Sequence, residues 1–165
     1  MHRCLSRRAA ELEAVSQLQR PSVDIRPASP GDLEAILQLD PLAEEDPARA
    51  QFIRRSLLAA YCPVALSRGR IVAYGVLDYT FFDRPYISML YVEPGLRGRG
   101  IGSALMAAME ASCKRRKVFT STNESNTPMQ ALLARLGYER SGIVENLDEG
   151  DPELIYVKKL TKGAG

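Results

Sequence analysis

Val92-Glu93-Pro94-Gly95-Leu96-Arg97-Gly98-Arg99-Gly100-Ile101-Gly102 lies where the alternating run from Tyr86 to Val92 gives way to IGSALMAAMEASC. That second run is helical, with Ile101, Ala104, Leu105, Ala108 and Cys113 on one face. Glycines at a strand-to-helix turn let the backbone approach a ligand closely, and the unpaired N–H groups of the first helical turn point at an anion. Arg97 and Arg99 add positive charge, so the stretch predicts a cradle for a phosphate or pyrophosphate. A tight connection with both arginines solvated would use the same residues.

Outward from this turn the chain alternates between periods. Upstream, VALS and IVAYGVLDY are separated by Arg68-Gly69-Arg70 and read as a strand, a tight turn and a strand. Before them, Ser29-Pro30-Gly31-Asp32 and Asp46-Pro47 are two helix starts, with Leu33, Ile36 and Leu37 as one stripe and Phe52, Ile53, Leu57 and Ala60 as the next. Val23 to Arg26 is a first strand. Downstream, Lys117 to Thr122 is a strand, and a helix carries Met129, Leu132, Leu133 and Leu136 before Gly137. Thr127 and Gln130 stand at capping-box spacing at its start. Glu139 to Val144 and Leu154 to Leu160 read as closing strands. This interleaving predicts a single α/β domain, a mixed sheet with helices on both faces. The expected limits are an N-terminal extension over 1–21, the domain over 22–161 and a tail over 162–165.

The chain has 165 residues with 22 Lys plus Arg against 20 Asp plus Glu, a net charge of +2. Residues 1–20 hold four arginines and two glutamates, leaving 18 against 18 elsewhere, so a generic nucleic-acid-coating surface is disfavoured. Cys4, Cys62 and Cys113 are far apart and His2 is the one histidine, which predicts no metal site. No apolar run reaches membrane-span length and no signal-peptide core is evident, so a cytoplasmic protein without a membrane partner is expected.

The glycines discriminate among phosphate-binding patterns. A P-loop requires Lys-Ser or Lys-Thr after them, and none follows; GxGxxG fails at Ser103 or at Leu105. RxxGxG fits, with Arg97, Gly100 and Gly102. With MLYVEPGLRG before it, the small-residue helix after it, and Asn126 leading MQALLARLGY downstream, the stretch resembles the coenzyme A pyrophosphate loop of the GCN5-related N-acetyltransferase (GNAT) superfamily. The resemblance covers roughly residues 22–160, and the element order agrees.

The resemblance implies a mostly antiparallel twisted sheet in which two central strands splay apart around the pantetheine arm of acetyl-CoA. It implies that the backbone of Leu90, Tyr91 and Val92 pairs with that arm, and that Arg97, Gly98, Arg99, Gly100, Ile101, Gly102 and Ser103 hold the pyrophosphate, with Asn126 also near the coenzyme. The implied reaction is direct acetyl transfer to the amine of a small molecule or peptide in a ternary complex. Two positions depart from the family pattern. The Tyr that many members carry seven residues after the Asn is Leu133, and the Glu that some carry five before it is Ser121.

The acid and base are therefore unassigned, with Asp78, Glu149, Asp151 and Tyr138 as weak candidates. Tyr138 suits core packing, and Asp78 suits a turn. Glu145, Asp148, Glu149, Asp151 and Glu153 put five carboxylates in nine residues, which suits either a solvated hairpin or the attraction of a cationic amine. Tyr79, Phe81, Phe82 and Tyr86 suit strand packing or an acceptor pocket. Two other functions remain consistent with the sequence: a coenzyme-binding regulatory module without turnover, and a protein or nucleic-acid interaction domain using the basic run 114–117. A homodimer is also compatible.

Overall fold

The computed structural model describes residues 23–161. The extension over 1–21, with His2 and Cys4, and the tail over 162–165 lie outside them. In chain order the elements are β1 (Asp24–Pro27), α1 (Leu33–Leu39), α2 (Leu42–Glu45), α3 (Pro47–Ala59), β2 (Pro63–Ser67), β3 (Arg70–Phe81) and β4 (Arg84–Val92). Then come α4 (Ile101–Ser112), β5 (Lys117–Asn123), α5 (Thr127–Arg135), β6 (Glu139–Val144) and β7 (Glu153–Lys159). The sequence signals do not announce the short α2, which has Pro41 at its N-cap.

The local signals act as their chemistry requires. Asp46 accepts a hydrogen bond from the Ala48 N–H at 2.8 Å and Pro47 occupies the first turn of α3. Asp32 reaches back to the Ser29 N–H at 2.7 Å and is gripped by both Arg26 nitrogens at 2.8 Å. At the start of α5 the structure corrects the expected cap: Asn126, not Thr127, accepts from the Met129 N–H, and the Gln130 amide bonds the Glu124 carbonyl instead. Pro128 explains the shift, because it needs one of the donor-free positions of the first turn.

Among the described residues seven strands form one sheet in the order β1-β2-β3-β4-β5-β7-β6, in which the β4–β5 pair alone is parallel. Alternation sends Leu77, Ile87, Val118, Leu154 and Tyr156 to one face, against Met106 and Met109 of α4 and Leu133 of α5. Val64, Tyr74 and Val76 face the other way, against Ile36, Ala43 and Ile53 of α1 to α3. Helices thus cover both faces.

The sheet forks at its centre. β4 and β5 share two rungs, Tyr86 with Phe119 and Ile87 with Thr120, the latter reinforced by the Thr120 hydroxyl on the Ile87 carbonyl at 2.8 Å. Beyond them β4 stays with β3 as far as Val92, while β5 stays with β7 as far as Asn123. The parting begins at a bulge: Val76 faces Met89 and Leu77 faces Ile87, so Ser88 is the extra residue that bends β4 away.

Candidate active site

A cleft of about 400 Å³ opens on the α4 and α5 side of the fork. Its walls include Leu90 and Val92 of β4, Arg97, Gly98 and Gly100 of the glycine turn, Ile101, Gly102 and Ser103 of α4, and Asn126, Met129 and Leu132 around α5. Most of these are residues the sequence points to; Tyr91 and Arg99 do not line it.

Backbone alternation decides which amides face the gap. The Glu93 N–H bonds the Val72 carbonyl at 3.0 Å, which makes that rung a bonded one. The next rung, Ala73 with Val92, is then open, Tyr74 with Tyr91 bonded, and Gly75 with Leu90 open. Leu90 and Val92 therefore turn their amides toward the fork. Tyr91 turns its own toward β3 and stacks its ring on Tyr74, with centroids 6.0 Å apart.

The glycines are explained position by position. Gly98 and Gly100 have φ of 75° and 86°, left-handed values that an L side chain resists. Gly102 has ordinary backbone; a Cβ there would meet Leu132, Leu90 and Val92 at 3.5–3.7 Å, filling cleft space rather than clashing. The first helical hydrogen bond of α4 runs from the Ala104 N–H to the Gly100 carbonyl, so the N–H groups of Ile101, Gly102 and Ser103 have no helical acceptor. These donors, beside the positive end of a twelve-residue helix, fit an anionic diphosphate. Arg97 lines the cleft and also braces the turn. Its Nε donates to the Val92 carbonyl at 2.9 Å and its guanidinium lies 5.8 Å from the Tyr91 ring centroid, pinning the turn to the end of β4.

The expected acid–base positions are occupied differently. Leu133 is fully buried in the core. The Ser121 hydroxyl is hydrogen-bonded to the Tyr86 hydroxyl at the closed end of the fork, and burial raises the Tyr86 phenol above its usual range. Next to them the Ser88 hydroxyl donates to Asp78 Oδ2 at 2.7 Å, while Asp78 Oδ1 accepts from the Thr80 N–H and hydroxyl. Sequence reading does not find this hydroxyl–carboxylate cluster as a unit, because Ile87-Ser88-Met89 alternates regularly and the bulge shows only in the strand register.

Tyr138 is buried, donates to Glu110 at 3.0 Å, and is pushed far above the ordinary phenol range by burial and then by Glu110. Asp151 holds Ser125 through the latter's N–H at 2.9 Å and hydroxyl at 2.6 Å, and these bonds lower its pKa. Asp148 accepts from the Asn123 amide at 2.8 Å, so two of the five carboxylates clamp the 145–152 loop onto the β5–α5 connection. Glu149 is exposed and has no ion pair among the described residues. Burial raises the Cys62 thiol to about 12 and the Cys113 thiol to about 11, leaving both protonated and poorly nucleophilic. Among the described residues no cluster of three His, Cys, Asp or Glu can hold a metal, and no helix is long and apolar enough to cross a membrane.

The fork, the cleft and the glycine turn define an acyltransferase class. The sequence model described as "Acetyltransferase (GNAT) family" matches residues 31–138, and the chain belongs to that family. A GNAT-family acetyltransferase from Bacillus cereus ATCC 10987 is 36% identical, with a TM-score of 0.79 over 86% of this chain and 99% of that one. An Elizabethkingia anophelis GNAT acetyltransferase with acetyl-CoA bound shares the fold at 20% identity and TM-score 0.67, over 84% of this chain and 98% of that one. Arabidopsis thaliana NAA60, in complex with a bisubstrate analogue, does so at 17% and 0.69, over 84% and 98%. Among curated protein sequences none matches this chain.

Proposed function

We propose that the chain transfers an acetyl group from acetyl-CoA directly to a primary amine, with both substrates bound at once. The observation that carries this reading is the fork itself, whose gap is faced by the amides of Leu90 and Val92 and ends at the donor-rich start of α4. An amide-bearing pantetheine arm needs strand-like partners, and the open rungs supply them. The N–H groups of Ile101, Gly102 and Ser103, with Gly98 and Gly100 shaping their approach, suit the pyrophosphate, and Arg99 adds charge at the rim. Asn126 holds α5 against the cleft. Acetyl-CoA supplies an activated thioester; the chain orients it, and backbone donors near the bulge stabilise the tetrahedral oxyanion. The acetyl-CoA-bound relative from Elizabethkingia anophelis supports the same coenzyme here.

A coenzyme-binding regulatory module is the second reading, favoured by the buried Leu133 where many members carry a proton-donating Tyr. A departing thiolate of ordinary thiol pKa needs no strong acid, which favours turnover. Calorimetry with acetyl-CoA, with thiol release measured over an amine panel, separates the two. Amine-dependent release supports transfer, and tight binding without it supports the module.

A further inference from the structure

We infer that Asp78, acting through the Ser88 hydroxyl, takes the proton that the acceptor ammonium must lose. This rests on the transfer reaction proposed above. An arm anchored at the start of α4 and paired with Val92 and then Leu90 runs down β4 toward Ser88, about 7 Å beyond Leu90 at strand rise. Ser88 is the bulged residue at which the fork opens, the first after the last β4–β5 rung. The thioester end of the arm and the Ser88 hydroxyl therefore meet at the same place.

The approach side is set by the sheet. Leu77 and Ile87 pack toward α4 and α5, so their neighbours Asp78 and Tyr86, which pair with each other, face the opposite side. The coenzyme cleft occupies the α4 and α5 side, which leaves the Asp78 side for the amine. Asp78 enters none of the ion pairs among the described residues, so no fixed cation competes with an ammonium. Thr80 fixes one carboxylate oxygen and leaves the other to Ser88. The titratable groups facing this centre are the Tyr86 phenol of β4, the Cys62 thiol preceding β2, and Glu153 of β7, whose charge reaches Tyr86. The position that holds Glu in some relatives is Ser121, already engaged by Tyr86. The carboxylate has moved from β5 to β3.

The Ser88 oxygen accepts one ammonium proton while its own proton passes to Asp78 Oδ2. The freed lone pair forms the C–N bond at the thioester carbon and the carbonyl π pair moves to oxygen. On collapse the C–S bond breaks with its pair on sulfur, the second nitrogen proton reaches the thiolate through solvent, and Asp78 returns its proton to water.

The test measures thiol release from acetyl-CoA against spermidine, tyramine, glucosamine and a lysine-bearing peptide, with the best acceptor followed from pH 6 to 10. Calorimetry gives acetyl-CoA affinity in parallel. Asp78→Asn is expected to lower kcat at pH 7 about 100-fold or more, with the deficit shrinking at high pH as free amine accumulates. Affinity for acetyl-CoA should stay within about twofold, and Asp78→Glu should recover part of the rate. Ser88→Ala should show the same pH signature with a smaller loss. Parental kcat and pH profile in Asp78→Asn would overturn the relay, as would the signature appearing in Glu153→Gln instead, or a parallel loss of acetyl-CoA affinity. A parent that binds acetyl-CoA but releases no thiol to any amine overturns the transfer reaction and the relay with it.

Discussion

The hydroxyls of Tyr86 and Ser121 are hydrogen-bonded to each other across β4 and β5, at the rung where the sheet stops being continuous. Each is the other's partner, so removing either hydroxyl dissolves the same contact. A hydrogen bond of this kind contributes about 1 kcal/mol, or roughly a factor of five to ten in rate if it positions the acceptor side. Tyr86→Phe and Ser121→Ala are each expected to lower kcat/KM for the amine by about that factor. The double variant should cost no more than either single one, since the coupling energy cancels the second loss. Steady-state kinetics of the four proteins check this, and additive losses would mean that the hydroxyls act separately.

Gly102 tests the cradle more cleanly than its neighbours. Gly98 and Gly100 adopt left-handed backbone, so substituting them costs about 1–2 kcal/mol of strain and confuses folding with binding. Gly102 has room for a Cβ at van der Waals distance from Leu90, Val92 and Leu132, inside the cleft. Gly102→Glu should therefore keep its thermal midpoint within about 3 °C of the parent, because no mechanism of large destabilisation operates there. It should weaken acetyl-CoA binding by about 100-fold or more through charge repulsion and lost space. Calorimetry and thermal unfolding on one sample distinguish this from misfolding.

Tyr138 is buried in the core beside Glu110. Its hydroxyl bonds Glu110, whose other oxygen pairs with Lys158 at 2.6 Å, and Lys158 lies over the Tyr138 ring with its nitrogen 5.5 Å from the centroid. Tyr138→Phe should destabilise the fold by about 1 kcal/mol through the lost bond to Glu110. The rate and its pH profile should be unchanged, because the buried phenol stays protonated throughout the working range. Denaturant unfolding beside kinetics checks both halves.

These contrasts explain how far the sequence could be read. The strand-to-helix turn was legible because Gly98, Gly100 and Gly102 are short-range demands: backbone sign, helix start and open space are fixed within five residues. The element order was legible for the same reason, since caps and apolar periods are local. The fork was legible only through the family resemblance: it depends on a bulge at Ser88 and on β5 pairing with β7 instead of following β4, and no local signal in β4 encodes a partner thirty residues away. The hydrogen bond from Arg97 to the Val92 carbonyl was not legible, because it exists only when the turn folds back onto β4. Tyr86 and Ser121 are 35 residues apart, and their contact exists only because the parallel rungs bring them together.

The acidic loop divides into tied members, Asp148 and Asp151, and exposed ones such as Glu149 that enter no ion pair among the described residues. Asp151 grips Ser125, Asp148 grips Asn123, and the Glu124 N–H bonds the Pro152 carbonyl at 2.9 Å, so the loop is fastened to the start of α5. Glu149 is exposed, where its field is screened by salt within about 10 Å. Glu149→Gln should raise KM for a polycationic amine about twofold to threefold at low ionic strength, with the difference vanishing near 1 M salt and kcat unchanged. Asp151→Asn should act differently, lowering the thermal midpoint and changing kcat and KM together, because it loosens the connection that carries Asn126. Its pH dependence carries the sign of a depressed carboxylate. The folded pKa lies below the unfolded value of about 3.9, so the clamp's contribution is complete above that pH and is lost as pH falls through the folded pKa. Thermal midpoints from pH 2 to 6 should therefore fall less steeply on the acid side in Asp151→Asn than in the parent. Equal slopes would show that the Ser125 bonds hold the loop independently of the charge on Asp151.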